Sequence, residues 1–142
     1  MQLKKTFAVW TAALFVALPL QARTPAPQGA AVFILSPADG ASVTSPVTVK
    51  FGVKNMSIVP AGEDKPASGH FHLLIDTDGL PPLDQPIPKD AQHIHYGKGQ
   101  TEATVGLPPG KHTLQLLLGD FRHVPHEPPV ASDRITITVT PP

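Results

Sequence analysis

Apolar and polar positions alternate with a period of two along much of residues 31–140. In residues 47–53, Val47, Val49, Phe51 and Val53 are interleaved with Thr48, Lys50 and Gly52. Leu114, Leu116 and Leu118 share one side of residues 111–119, and Ile135, Ile137 and Val139 share one side of residues 133–140. Successive side chains of a β-strand point to opposite faces, so each stretch predicts a strand with one face on a core. Further strands are expected at 31–35, 70–76, 93–96 and 102–107, with shorter extended pieces at 42–44 and 57–59. Ser36-Pro37-Ala38-Asp39-Gly40 and Leu107-Pro108-Pro109-Gly110 are turn clusters. No segment sustains a helical period, and 18 prolines oppose long helices. About seven short strands with turn signals between them predict an all-β fold, an immunoglobulin- or fibronectin-like antiparallel β-sandwich.

The start of the chain breaks this pattern. Lys4 and Lys5 precede a mostly apolar run over 7–20, with small Ala22 just beyond it. This reads as a secretory signal peptide over residues 1–22, with a run too short to span a bilayer comfortably. The expectation is a periplasmic or secreted protein with no membrane span after cleavage. Residues 23–30, rich in Pro, Ala and Gly, read as a flexible leader, and 31–142 as a single domain. The formal charge is balanced at 11 basic and 11 acidic residues. Loss of Lys4 and Lys5 with the signal leaves the remainder slightly acidic, which does not suit nucleic acid. The chain has no cysteine, so disulfides, thiolate metal sites and cysteine nucleophiles are excluded.

Seven histidines in a chain without cysteine then carry the chemistry. In Gly69-His70-Phe71-His72-Leu73-Leu74-Ile75-Asp76, strand alternation puts Phe71, Leu73 and Ile75 on one face. His70, His72, Leu74 and Asp76 take the other. Imidazoles at i and i+2 of a strand stand side by side, close enough to hold one ion. His93 and His95 repeat the spacing, and His123 and His126 lie in a proline-rich loop at 120–132. Neutral imidazoles bind first-row transition metals, so His70, His72, His93, His95, His123 and His126 are candidate ligands. Copper is favoured over zinc, since Met56 offers a soft donor and no thiolate competes.

The other polar positions read differently. His112 starts the strand at 111–119 after a Pro-Gly turn and is expected to bond to backbone. Asp76 and Asp120 sit at strand ends, as ligands or as acceptors that orient imidazoles. Asp76-Thr77-Asp78-Gly79 opens like a calcium loop, but its twelfth residue is Ile87 rather than Glu. There is no Gly-x-Ser-x-Gly elbow and no His-Glu-x-x-His pair. The proline- and aspartate-rich stretch at 77–92 is expected to be a long ordered loop or edge excursion.

The order of several motifs resembles a known family. These are Gly69 through Asp76, Leu83-Asp84-Gln85-Pro86-Ile87-Pro88, and Gln92-His93-Ile94-His95-Tyr96-Gly97-Lys98-Gly99-Gln100-Thr101-Glu102. Leu107-Pro108-Pro109-Gly110-Lys111-His112-Thr113-Leu114-Gln115-Leu116 and Pro125-His126-Glu127-Pro128-Pro129 continue it. The pattern, over about residues 55–140, resembles the domain-of-unknown-function family numbered 4399, small exported bacterial proteins rich in histidine. The resemblance implies export and a shared site but supplies no activity. That family often has a third histidine where this chain has Phe71, on the strand face opposite His70 and His72. Two functions follow as expectations: an exported copper or zinc protein for storage, delivery or sensing, or a non-catalytic envelope module binding a peptide, glycan or protein. In the first the histidines converge; in the second they scatter.

Overall fold

The computed structural model describes residues 10–17 and 21–142. The signal peptide expected over 1–22 therefore lies largely outside the described residues. The described chain is all-β, with no helix among those residues. Nine strands follow in order: β1 (Ala31–Ser36), β2 (Ser42–Thr44), β3 (Val47–Lys54), β4 (Ser57–Ile58) and β5 (Ser68–Ile75), then β6 (His93–Tyr96), β7 (Glu102–Val105), β8 (Gly110–Gly119) and β9 (Ile135–Thr140). They form a sandwich. One sheet has the order β1-β3-β7; the other has β2-β9-β8-β5-β4, with β6 also paired to β5. The count exceeds the expected seven because β2 and β4 are separate short strands. Both pair in parallel, β2 with β9 and β4 with β5, so the larger sheet is mixed rather than purely antiparallel.

The core forms where the period-two faces meet. Val47, Val49 and Phe51 of β3 face Phe71 and Leu73 of β5, Leu114, Leu116 and Leu118 of β8, and Ile137 and Val139 of β9. Phe71 lies 4.9 Å from Phe51, centroid to centroid, in a tilted pair. Full burial of each such side chain contributes about 1.5–3 kcal/mol. β3 shows the expected alternation as far as Phe51, while Val53 is only half-buried.

β5 departs from the half-buried pattern, since every one of its residues is buried. β8 lies along one edge, with Phe71 opposite Leu118 and Leu73 opposite Leu116. β4 and then β6 line the other edge. The second face of β5 is covered by loops. Residues 77–92 cross it and press Ile87 onto Leu74 and Leu117, making a small apolar cluster behind the main core. Residues 120–132 return alongside the end of β8, where Leu118 N–H donates to the Val130 carbonyl at 2.9 Å. A face that alternation alone assigns to solvent thus becomes an enclosed compartment holding His70 and His72.

Candidate metal centre

Four imidazoles meet in this compartment. His70 and His72 come from β5 and are each 1% exposed. His95 comes from β6, directly across the strand pair from His72. His123 comes from the tip of the 120–132 loop. Ring centroids of His70 lie 4.8 Å from His72, 4.9 Å from His95 and 4.8 Å from His123. His95 and His123 are 4.8 Å apart, His72 and His95 are 5.2 Å apart, and the widest pair, His72 and His123, is 6.2 Å apart. His70, His72 and His95 each offer a nitrogen, and these three atoms all lie within 4.8 Å of one another. His95 and His123 are half-buried, so the cluster opens toward solvent on their side.

These nitrogens lack protein partners. Nε2 of His70, Nδ1 of His72 and Nε2 of His95 are buried without a hydrogen bond. Burial, with His123 and His95 adding repulsion, pushes His70 down to about 4. Burial, then His70 and His95, pushes His72 down to about 2. His95 is lowered by burial, then by His123 and Lys89. All three rings are therefore neutral at pH 7, with lone pairs free to donate to a cation.

Two glycines, Gly97 and Gly119, give these rings room, and Gly69 does the same for the neighbouring His126. A Cβ on Gly97 would lie 2.3 Å from Cε1 of His95, and one on Gly119 would lie 2.7 Å from Cε1 of His72. A Cβ on Gly69 would meet the Gly119 carbonyl at 2.8 Å and the His126 ring at 3.0 Å. Neither Gly97 nor Gly119 stands out in the sequence as part of a site. Each owes its importance to a ring packed on it through the fold, and a glycine beside a histidine strand is too common to signal that.

The loop that carries His123 is built around Asp120, which is 1% exposed. Its Oδ1 accepts from Arg122 N–H at 2.8 Å and Val124 N–H at 3.0 Å, and its Oδ2 accepts from the Thr24 hydroxyl at 2.7 Å. Burial alone would raise this carboxyl, but these hydrogen bonds, with Arg122 beside it, hold it below the ordinary carboxylate value. His123 N–H donates to the Asp120 carbonyl at 2.8 Å, and His123 itself has φ 68°. A left-handed non-glycine residue costs about 1–2 kcal/mol, which the turn supplies to aim the ring inward.

The other candidates are placed elsewhere. His93 shares a strand face with His95 but stands across from Leu74, two pairings further along. Its Nδ1 is bonded to Asp90 Oδ1 at 2.8 Å, which turns the ring to the rim. His126 is 1% exposed and donates from Nε2 to the Ser68 carbonyl at 3.0 Å, beside the ring group rather than within it. His112 lies at the far end of β5, bonded to Asp76 Oδ2 and to the Pro108 carbonyl, each at 2.8 Å. Asp76 therefore serves His112 and not the four rings. Met56 packs against the main core, so it supplies no soft donor at this site. Phe71 lies wholly in that core, on the face away from the histidines.

The chain matches the family described as Domain of unknown function (DUF4399) over residues 49–140. It belongs to that family. The matched region takes in most of β3, all of β4 to β9, and all seven histidines. No curated protein and no solved structure matches the chain.

Proposed function

We propose that this protein binds one transition-metal ion through His70, His72, His95 and His123, as an exported protein that stores, delivers or senses the metal. The observation that carries this reading is the convergence of four imidazoles, three of which, His70, His72 and His95, hold a buried nitrogen with no hydrogen-bond partner. A buried polar atom left unpaired costs about 1–3 kcal/mol, a cost that a bound cation removes. Nitrogens 2.0–2.1 Å from a single ion at tetrahedral angles lie about 3.4 Å apart, so the rings need to close by about an ångström. Copper(II) leads zinc(II) at an all-nitrogen donor set, because affinities follow the order that peaks at copper. With Met56 in the core, this order alone supports the preference.

The test is calorimetric titration of the purified protein with Cu(II) and with Zn(II), beside a His70→Ala/His72→Ala variant. One ion per chain, bound tightly and lost in the variant, is the expected result. Equal weak binding by both proteins would refute the site. It would leave the histidines as packing groups of an envelope interaction domain.

A further inference from the structure

The segment expected to be a flexible leader is tied down at one end. Ala26 N–H donates to the Glu127 carbonyl at 2.8 Å, and Glu127 N–H donates to the Thr24 carbonyl at 2.9 Å. The Arg23 guanidinium spans three acceptors. It donates to the Pro125 carbonyl at 3.2 Å, to the His126 carbonyl, and to the Glu127 carboxylate. Thr24 places its hydroxyl on the Asp120 carboxylate at 2.7 Å. These contacts link positions about a hundred residues apart, and they grip the His123 loop on both sides of His123.

We propose that Arg23 and Thr24 are positioning residues of the metal site, forming a strap that holds His123 in place as the fourth ligand. This rests on the reading of the four rings as a metal site. The chain of contacts is short. Thr24 fixes Asp120; Asp120 gathers the N–H groups of Arg122 and Val124; and that turn sets the left-handed backbone that directs His123 at His70 and His95. Arg23 anchors the returning part of the loop two to four residues further on. His70, His72 and His95 are set by the β5-β6 register and do not depend on the strap. With the strap docked the site has four nitrogens; with it released, three nitrogens remain and His123 leaves with its loop. Metal affinity is thereby coupled to the docking of the segment that follows the expected export signal.

The test compares the unsubstituted chain with an Arg23→Gln/Thr24→Val variant and a Thr24→Ser variant, alone and in a His123→Ala background. Two quantities are read: Cu(II) affinity, and the number of coupled nitrogens in the copper electron paramagnetic resonance spectrum. The strap variant is expected to bind one ion about 10- to 100-fold more weakly, the usual effect of removing groups that orient a ligand. Its spectrum should show one nitrogen fewer. Thr24→Ser should restore both, and in the His123→Ala background the strap substitutions should change affinity by less than about twofold. A strap variant with unchanged affinity and spectrum overturns the proposal, as does an equal loss in the His123→Ala background, which would mark a general loosening of the fold. If the unsubstituted chain binds no Cu(II), the metal site falls and the strap's role falls with it. Binding by the unsubstituted chain beside an indifferent strap variant removes the strap alone.

Discussion

The two ends of β5 treat histidine in opposite ways. At its start, His70 and His72 face His95 and His123 with no carboxylate touching the rings, and burial drives His70 and His72 to low pKa. Just past its end, Asp76 accepts from His112, and this hydrogen bond raises that ring's pKa, with burial opposing and the Pro108 carbonyl assisting. His112 has both nitrogens occupied and a structural task, bridging the end of β5 to the turn before β8. Among the clustered rings, His70, His72 and His95 each keep a buried nitrogen without a partner. A carboxylate partner makes His112 a strut, whereas His70 and His72 are buried without one. His93 resembles His112 in this, since Asp90 holds it at the rim.

This contrast can be broken most sharply by substitution. His72→Ala is expected to weaken Cu(II) or Zn(II) binding by at least a hundredfold, while His112→Ala leaves affinity within about twofold and instead lowers the melting temperature. Calorimetric titration and thermal unfolding of both variants check the pair of outcomes. If both lose metal binding, the distinction between ligand and strut fails.

Next in size is the effect of filling the space under the rings. Gly119→Ala sets a methyl against the fully buried His72, where nothing can yield, and is expected to destabilise the fold by about 1–3 kcal/mol as well as impair binding. Gly97→Ala meets His95, which is only half-buried, so it should reduce metal affinity with a smaller loss of stability than Gly119→Ala. Denaturant titration beside metal titration separates the two. A Gly97→Ala protein with full affinity would show that His95 is not a ligand.

Acid should distinguish the groups in sign. His70 and His72 have folded pKa values below their unfolded value of about 6.5, so the unfolded chain binds more protons. Their neutral state supports the fold above pH 6.5, and that support is lost as pH falls from 6.5 toward about 4 for His70 and toward about 2 for His72. His112 has a raised folded pKa, so its contribution is present below pH 6.5 and is lost as pH rises through the raised value. Melting curves of the metal-free protein from pH 8 to 4 should therefore fall steeply with acid. A His70→Leu/His72→Leu variant should flatten that fall, and His112→Ala should steepen it. A flat profile in the unsubstituted protein would contradict the burial of neutral rings.

The smallest effect is expected from Asp90→Asn. It weakens the hold on His93 at the rim, a contact screened by solvent, and should leave metal binding unchanged. A gain in affinity would mean that freed His93 joins the cluster, and would enlarge the ligand set.

Much of this arrangement is legible in the residues. Period-two alternation marks β3, β5, β8 and β9 and names their core faces. The same alternation puts Phe71 opposite His70 and His72, and the turn clusters separate the strands. The limits of such reading show at β5 itself. Its second face looks solvent-facing by pattern and is buried, because residues 77–92 and 120–132 fold over it. Residues 23–26 look like a linker by composition, yet Arg23 and Thr24 find acceptors only once the distant loop has formed.

The order of residues alone puts His70 and His72 on one face, because the geometry of i and i+2 on a strand is a property of the local backbone. The absence of cysteine likewise leaves no thiolate to take part. Which other histidines join them is set by the fold. His95 enters because the β5-β6 hydrogen-bond register sets it across from His72, and His123 enters because Asp120 curls its loop back over β5. His93 and His112 are held away by Asp90 and Asp76. Register, loop return and the choice of carboxylate partner depend on contacts between residues far apart along the chain, and no local spacing encodes them.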